Sequence, residues 1–367
     1  MTRLMSVVGT PSPLLYATWN VVQAMTKVSG GDPLVMTANN VVALRSAFRS
    51  ASDRKGKTVI LCSDYPEWDL LSLLVDANAP MIICADPLTT VAHFAVLTRE
   101  YGGVYAARHA SMALVNIEPL MAKPPRFSLV VTDPGTSLPT AIVDFAKFFR
   151  LPLGLEALAE VSLLLGYGDT PAISFAEYAA KAIPLANDAR EILERRSALE
   201  NELIDFLAAH SDGIVRGRRL EKLEWPVYAL LRPEFPDRLT IGPIDLTGPA
   251  RFIYYGPYFA LPAGAWSADV SIEVSDCYSD DPIAIDVVAR KVLAIVRMKL
   301  PRSGVYGCQI RFLIEEPSQP IEIRLQLLTG AIEGVIRMHS IKLHRLANLD
   351  EAESGGEARK AASMGVE

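Results

Sequence analysis

Charge is scarce in this chain: charged side chains make up 21% of 367 residues, 36 basic against 42 acidic, for a formal net charge of −6. A dedicated nucleic-acid binder carries a basic domain or stripe, and with neither present nucleic acid drops out as an expected partner. Cysteine is limited to Cys62, Cys84, Cys277 and Cys308, without Cys-x-x-Cys spacing or a neighbouring histidine. That argues against a zinc site or a disulfide framework and for free buried thiols in a reducing compartment. No run of 18 uncharged apolar residues occurs, and the first residues lack a secretory pattern. A cytoplasmic protein without a transmembrane segment is therefore expected. Also missing are a Gly-x-Ser-x-Gly elbow, a Walker sequence, a dinucleotide fingerprint and any metal-binding spacing, so no cofactor or metal is expected.

The length favours two folded units. In the first half, short apolar runs alternate with segments of helical spacing. Met5 to Gly9, Leu34 to Thr37, Thr58 to Cys62, Met81 to Cys84 and Phe127 to Thr132 are four to six residues long and mostly apolar, as strands covered on both faces are. Val41 to Ala51, Trp68 to Asn78 and Val91 to Tyr101 lie between them with helical spacing. This alternation predicts a parallel α/β/α sheet, whose ligands sit at the carboxyl ends of the strands. Three of those ends carry polar turns: Gly9-Thr10-Pro11-Ser12-Pro13, Ser63-Asp64-Tyr65-Pro66 and Asp86-Pro87-Leu88-Thr89. Gly9, Thr10, Ser12, Asp64 and Asp86 are thus candidate cleft residues, with ordinary helix capping as the competing account. His93 is the histidine placed to act as a base there, with a partly buried helix histidine as the competing account.

Residues 136 to 165 read as two helices divided by Leu151-Pro152-Leu153-Gly154, and a longer helix runs from Ala186 to His210, closing at Asp212-Gly213. Beyond Trp225 the period changes to two, as in Ala268 to Val274, Gln309 to Glu315, Ile321 to Leu327 and Val335 to Leu343. Several such strands predict an antiparallel β-sandwich of jelly-roll type. The expected division is 1–185 for the α/β domain, 186–212 for a connecting helix, 213–347 for the sandwich and 348–367 for a disordered tail. Tyr254, Tyr255, Tyr258 and Trp266 concentrate aromatics well above the chain average of 8% and are candidate sugar-stacking residues, although alternation puts one of Tyr254 and Tyr255 in the core.

Val7-Val8-Gly9-Thr10-Pro11-Ser12, Cys84-Ala85-Asp86-Pro87 and Val131-Thr132-Asp133-Pro134 with Ile142 to Leu151 occur in the order of the motifs of nucleotide-dependent sulfotransferases, and the first half resembles that family. The resemblance implies a donor cleft at the strand ends, yet the charged residues of such a cleft are missing. Two prolines follow Gly9 and no basic residue appears before Lys27, while Ala85 and His93 occupy the positions of the family's arginine and serine. A nucleotide donor is therefore not supported. Tyr255 to Trp266, followed by an alternating strand and by Gly330-Ala331-Ile332-Glu333-Gly334, resembles the β-sandwich modules of bacterial surface-polysaccharide proteins. Three functions stay open: a non-catalytic or divergent transferase-like protein of polysaccharide assembly with a glycan partner; an active group transferase drawing on Arg99, Arg108 or Arg126; and a structural protein whose sandwich meets a second copy or another protein.

Overall fold

The computed structural model describes residues 3–51, 57–99, 101–132, 135–167, 173–182, 197–234, 239–240 and 242–347. It divides into two units, Met1–Arg219 and Leu220–Glu367. The expected tail, the first part of the expected connecting helix, and Asp133-Pro134 of the third motif lie outside the described residues.

The first unit is a five-stranded parallel sheet of β1 (Arg3–Gly9), β2 (Leu34–Thr37), β3 (Thr58–Ser63), β4 (Met81–Cys84) and β5 (Ser128–Val131) in the order β2-β3-β1-β4-β5. β1 to β4 alternate with α1 (Pro13–Val28), α2 (Val41–Ser50) and α3 (Trp68–Asp76). Between β4 and β5 come α4 (Leu88–Arg99) and α5 (Gly103–Ala122). The five expected strands are all present, three of them with ends shifted by a residue or two; β1, β3 and β4 are apolar runs buried almost throughout, while β2 and β5 at the sheet edges are partly covered. On one face, Met5, Val7, Ile60, Cys62, Ile82 and Cys84 form a single core with α1 and three later helices, α6 (Leu138–Phe148), α7 (Leu155–Leu164) and α8 (Phe175–Ala182). On the other side, α4 and α5 pack against α9 (Ala198–Val215), which begins at Ser197 in a capping box with Glu200. That helix, expected as a connector, is thus an integral part of the first unit, and Leu203, Ile204 and Leu207 are its buried stripe.

β1 and its neighbour β4 meet at the carboxyl edge with Gly9 opposite Cys84. A Cβ on Gly9 would stand 1.9 Å from the Cys84 carbonyl oxygen. The glycine is there so that two strands can close on each other, and the Thr10 amide extends the pairing by donating to the same oxygen at 3.1 Å.

The second unit is an antiparallel sandwich. One sheet runs β13 (Gly304–Ile314), β10 (Gly264–Ser275), β15 (Val335–Arg345), β6 (Lys222–Trp225), with β7 (Ile244–Asp245) also on β15. The other runs β12 (Val292–Leu300), β11 (Asp281–Val288), β14 (Ile321–Leu327), β8 (Arg251–Tyr254), with β9 (Pro257–Phe259) also on β14. The period-two pattern sorts the faces: in β14, Ile321, Ile323, Leu325 and Leu327 are buried while Glu322, Arg324 and Gln326 face outward. Trp225 and Phe259, from different sheets, meet at 6.1 Å in the core.

Candidate functional site

At the carboxyl edge of the parallel sheet, the turn after β1 is filled by the protein itself. Thr10 and Ser12 are wholly buried. The Thr10 hydroxyl accepts from the Asp86 amide at 3.1 Å, and the Asp86 carboxylate faces the Ser12 hydroxyl and the Leu14 amide of α1, both of which favour its charged form. Burial nevertheless raises the Asp86 pKa above the usual carboxylate range, against those two groups. Two more helix N-termini are treated alike: Asp69 accepts from the Val41 amide of α2 at 3.1 Å, and Asp212 from the Leu88 amide of α4 at 3.1 Å. An exogenous anion would have to displace an internal carboxylate at each.

Asp64 is the hub of the neighbouring cleft. It accepts from the Tyr16 hydroxyl at 2.6 Å, from the Asn39 amide at 3.1 Å, and from the Arg99 guanidinium. The Asn39 carbonyl in turn accepts from the Ser63 hydroxyl at 2.9 Å, and the Asn40 amide reaches Glu67 at 2.9 Å. Of these, Tyr16, Asn39, Asn40, Asp64 and Glu67 line a cleft of about 580 Å³. Asp64 in turn holds the Arg99 pKa above its ordinary value despite burial. Burial first, then the adjacent carboxylate, push the Tyr16 phenol upward.

The histidine in this network is His109. Its Nε2 lies 3.1 Å from an Arg99 guanidinium nitrogen, and its ring stacks on Tyr65 at 4.3 Å with 8° between planes. Burial, then the Arg99 charge, push the imidazole down to about 4. At neutral pH it is an uncharged acceptor for Arg99 and cannot serve as an acid. The unfolded imidazole takes up its proton near pH 6.5 and the folded one near 4, so the contribution is present above pH 6.5 and lost as pH falls toward 4. Wild-type stability is expected to drop by about 3 kcal/mol over that interval through this group alone. The difference between wild type and His109→Gln, followed by urea midpoints against pH, isolates it; a difference independent of pH would contradict the assignment.

The four cysteines are free and buried, as expected. Burial raises all four thiols, to about 12 at Cys84 and Cys308, so none is a thiolate nucleophile at neutral pH.

On the sandwich, the outward face of the β11-β14-β8 sheet carries a bidentate pair, Arg324 to Asp286 at 2.9 and 2.6 Å. Phe252, 36% exposed, lies beneath the guanidinium at 5.0 Å. Half-buried Tyr258 is within electrostatic reach of Arg324 and meets Tyr255 edge-on at 6.2 Å.

No protein-family profile matches the sequence, and no characterised protein sequence matches it. The first half is similar to sulfotransferase structures. A mouse sulfotransferase, SULT7A1, complexed with PAP, is 11% identical over 56% of this chain and 82% of its own, with a TM-score of 0.35. A sulfotransferase from Alicyclobacillus acidocaldarius is 12% identical over 57% of this chain and 96% of its own, with a TM-score of 0.26. The second half is similar to sugar-binding modules such as TmCBM61, solved with β-1,4-galactotriose, at 14% identity over 32% of this chain and 81% of the module, with a TM-score of 0.21. At such scores it is the chain's own strand order and register that carry the fold.

The sequence-predicted residues separate accordingly. Asp64 lines the open cleft, whereas Gly9, Thr10, Ser12 and Asp86 form the sealed turn beside it. That corrects their expected ligand role, because their polar groups are spent on one another and on the start of α1. His93 is half-buried on α4, and His109 holds the place at the hub that was expected of it. In the sandwich, Tyr254 (2% exposed) and Trp266 (0%) are core residues, which corrects their expected sugar-stacking role. Trp266 donates to the Pro262 carbonyl at 2.9 Å, and Tyr254 pairs with Leu325 on the inner face. Tyr255 and Tyr258 stay half-exposed. Phe252 was missed because its signal, one aromatic in a four-residue strand, is no stronger than that of a core residue. Among the described residues, no group of three or more His, Cys, Asp and Glu is disposed to hold a metal ion, and no helix is long and apolar enough to cross a membrane.

Proposed function

We propose that this chain is a non-catalytic, glycan-recognising protein of bacterial surface-polysaccharide assembly, working in the cytoplasm, whose transferase-like α/β unit takes no anionic nucleotide donor. One observation carries this reading: the N-termini of α1, α2 and α4 at the strand ends are each occupied by a carboxylate of the chain, Asp86, Asp69 and Asp212. A phosphorylated donor depends on such N-termini and on an unmatched cation, and Arg99 is already paired with Asp64. Glycan recognition falls to the outward sandwich face, where Phe252 and Tyr258 offer apolar ring surface beside the polar groups of Arg324, Asp286 and Gln326. The cytoplasmic placement is supported by four free thiols, and the polysaccharide setting by the resemblance of the second half.

Thermal unfolding with added ligand tests the proposal. Millimolar adenosine 3′,5′-bisphosphate is expected to leave the midpoint unchanged, while at least one member of an oligosaccharide panel raises it by several degrees. Phe252→Ala is expected to weaken binding of a neutral oligosaccharide about fivefold. A nucleotide-induced shift without any oligosaccharide shift would instead establish a donor-using transferase.

A further inference from the structure

The accessible residues of α1 form a single line. Leu14, Leu15, Ala17, Thr18, Val21, Val22 and Met25 are buried in the unit, whereas Tyr16, Trp19, Asn20, Gln23 and Lys27 reach the surface. The spacing of 16, 20, 23 and 27 keeps these positions on one helical face, and at 1.5 Å per residue the line is about 16 Å long. Three cavities lie along it and share its residues. Tyr16 belongs both to the strand-end cleft and to a second cavity of about 300 Å³ with Trp19 and Phe94. Asn20 belongs both to that cavity and to a third, of about 560 Å³, with Lys27. The three are adjacent along α1, each sharing a lining residue with the next.

The chemistry changes along the row. The strand-end station is neutral to acidic, lined by Asn39, Asn40, Asp64 and Glu67. The middle is aromatic beside one paired cation: Tyr16 lies 6.3 Å from Trp19 and 5.5 Å from Phe94, and Arg99, bound to Asp64, lines the same cavity. The far end is basic. Lys27 of α1 and Lys181 of α8 both line it, Lys181 standing 6.0 Å over the Tyr167 ring, and no carboxylate is among the described lining residues. Glu177, one turn before Lys181, is held by the Ser174 amide and hydroxyl at 2.8 and 2.9 Å and also lies within electrostatic reach of Lys181. Beside the lysines, the Asn20 side chain faces the Tyr178 phenol and favours its charged form, and Tyr167 meets that ring edge-on at 5.6 Å.

We infer that the three cavities act as one groove that binds a linear oligosaccharide bearing an acidic sugar, with a neutral ring against Tyr16 and Trp19 and the sugar carboxylate between Lys27 and Lys181. Flat aromatic surface in mid-groove suits the C–H face of a sugar ring, the amides at Asn20 and Gln23 suit hydroxyls, and the paired ammonium groups suit one carboxylate. The site is separate from the sandwich face and rests on the reading of the chain as a glycan-recognising protein.

The experiment is isothermal titration of the full chain with hyaluronan hexasaccharide, a uronate-bearing probe, and with neutral chitohexaose. Hyaluronan is expected to bind more tightly. Lys27→Glu and Lys181→Glu are each expected to weaken it about tenfold while leaving the thermal midpoint and chitohexaose binding unchanged. Trp19→Phe is expected to remove the fluorescence change that accompanies binding. Undiminished hyaluronan affinity in the lysine variants would overturn the groove but leave the sandwich reading intact. Equal affinity for polyglutamate would overturn the assignment to a sugar. Absence of binding by any oligosaccharide would overturn both readings.

Discussion

Gly9→Ala is expected to destabilise the α/β unit by about 4 kcal/mol. The added Cβ would lie 1.9 Å from the Cys84 carbonyl oxygen, well inside van der Waals contact with rigid backbone. Relief requires β1 and β4 to separate at their carboxyl ends, which breaks the Thr10 amide bond to Cys84 and moves Thr10 off the Asp86 amide. The sealed turn would open as the sheet weakened. Urea unfolding followed by far-ultraviolet circular dichroism should show an early transition for the α/β unit and an unchanged one for the sandwich. Gly102→Ala is the control: its Cβ meets nothing within 4 Å, and the expected change is within about 0.5 kcal/mol. Equal stability of the two variants would refute the close approach of β1 and β4.

Arg324→Ala is expected to cost the sandwich about 3 kcal/mol. Asp286 is 7% exposed and takes both of its strong hydrogen bonds from this guanidinium, so removing Arg324 leaves a buried carboxylate without its partner. Phe252 loses its cationic neighbour in the same step. The double change Arg324→Leu, Asp286→Leu takes both charges away and is expected to recover most of the loss, because desolvation of the pair offsets much of its attraction. A double variant as unstable as the single one would mean that packing, rather than the stranded carboxylate, sets the cost.

Much of the architecture was legible because burial writes itself into residue type. Strands covered on both faces read as apolar runs, and half-wet strands read as alternations such as Ile321 to Leu327, which match the observed β14 end to end. The twenty-residue α5 was harder to see: its apolar residues fall on nearly every side, since α4 and α9 both pack on it, and no polar stripe marks the period. The sites were legible in part. Polar turns at the strand ends were visible, but whether a polar turn is open or sealed depends on what faces it. Asp86 faces Ser12 from 74 positions away, Asp212 faces Leu88 from 124, and His109 reaches Arg99 and Tyr65 from another helix.

The sequence by itself determined a protein of two units, a parallel α/β sheet with a sandwich after it, because the periods 2 and 3.6 and the length of apolar runs follow from local geometry and burial. It also determined that the strand-end turns carry almost no cations. Only the tertiary structure decided that the helix N-termini there are closed by the chain's own carboxylates, that Tyr254 and Trp266 belong to the core, and that Tyr16, Asn20 and Lys27 line adjacent cavities. Those are properties of pairs of groups far apart along the chain, and hydrogen bonding and exposure are set by the partner that folding delivers.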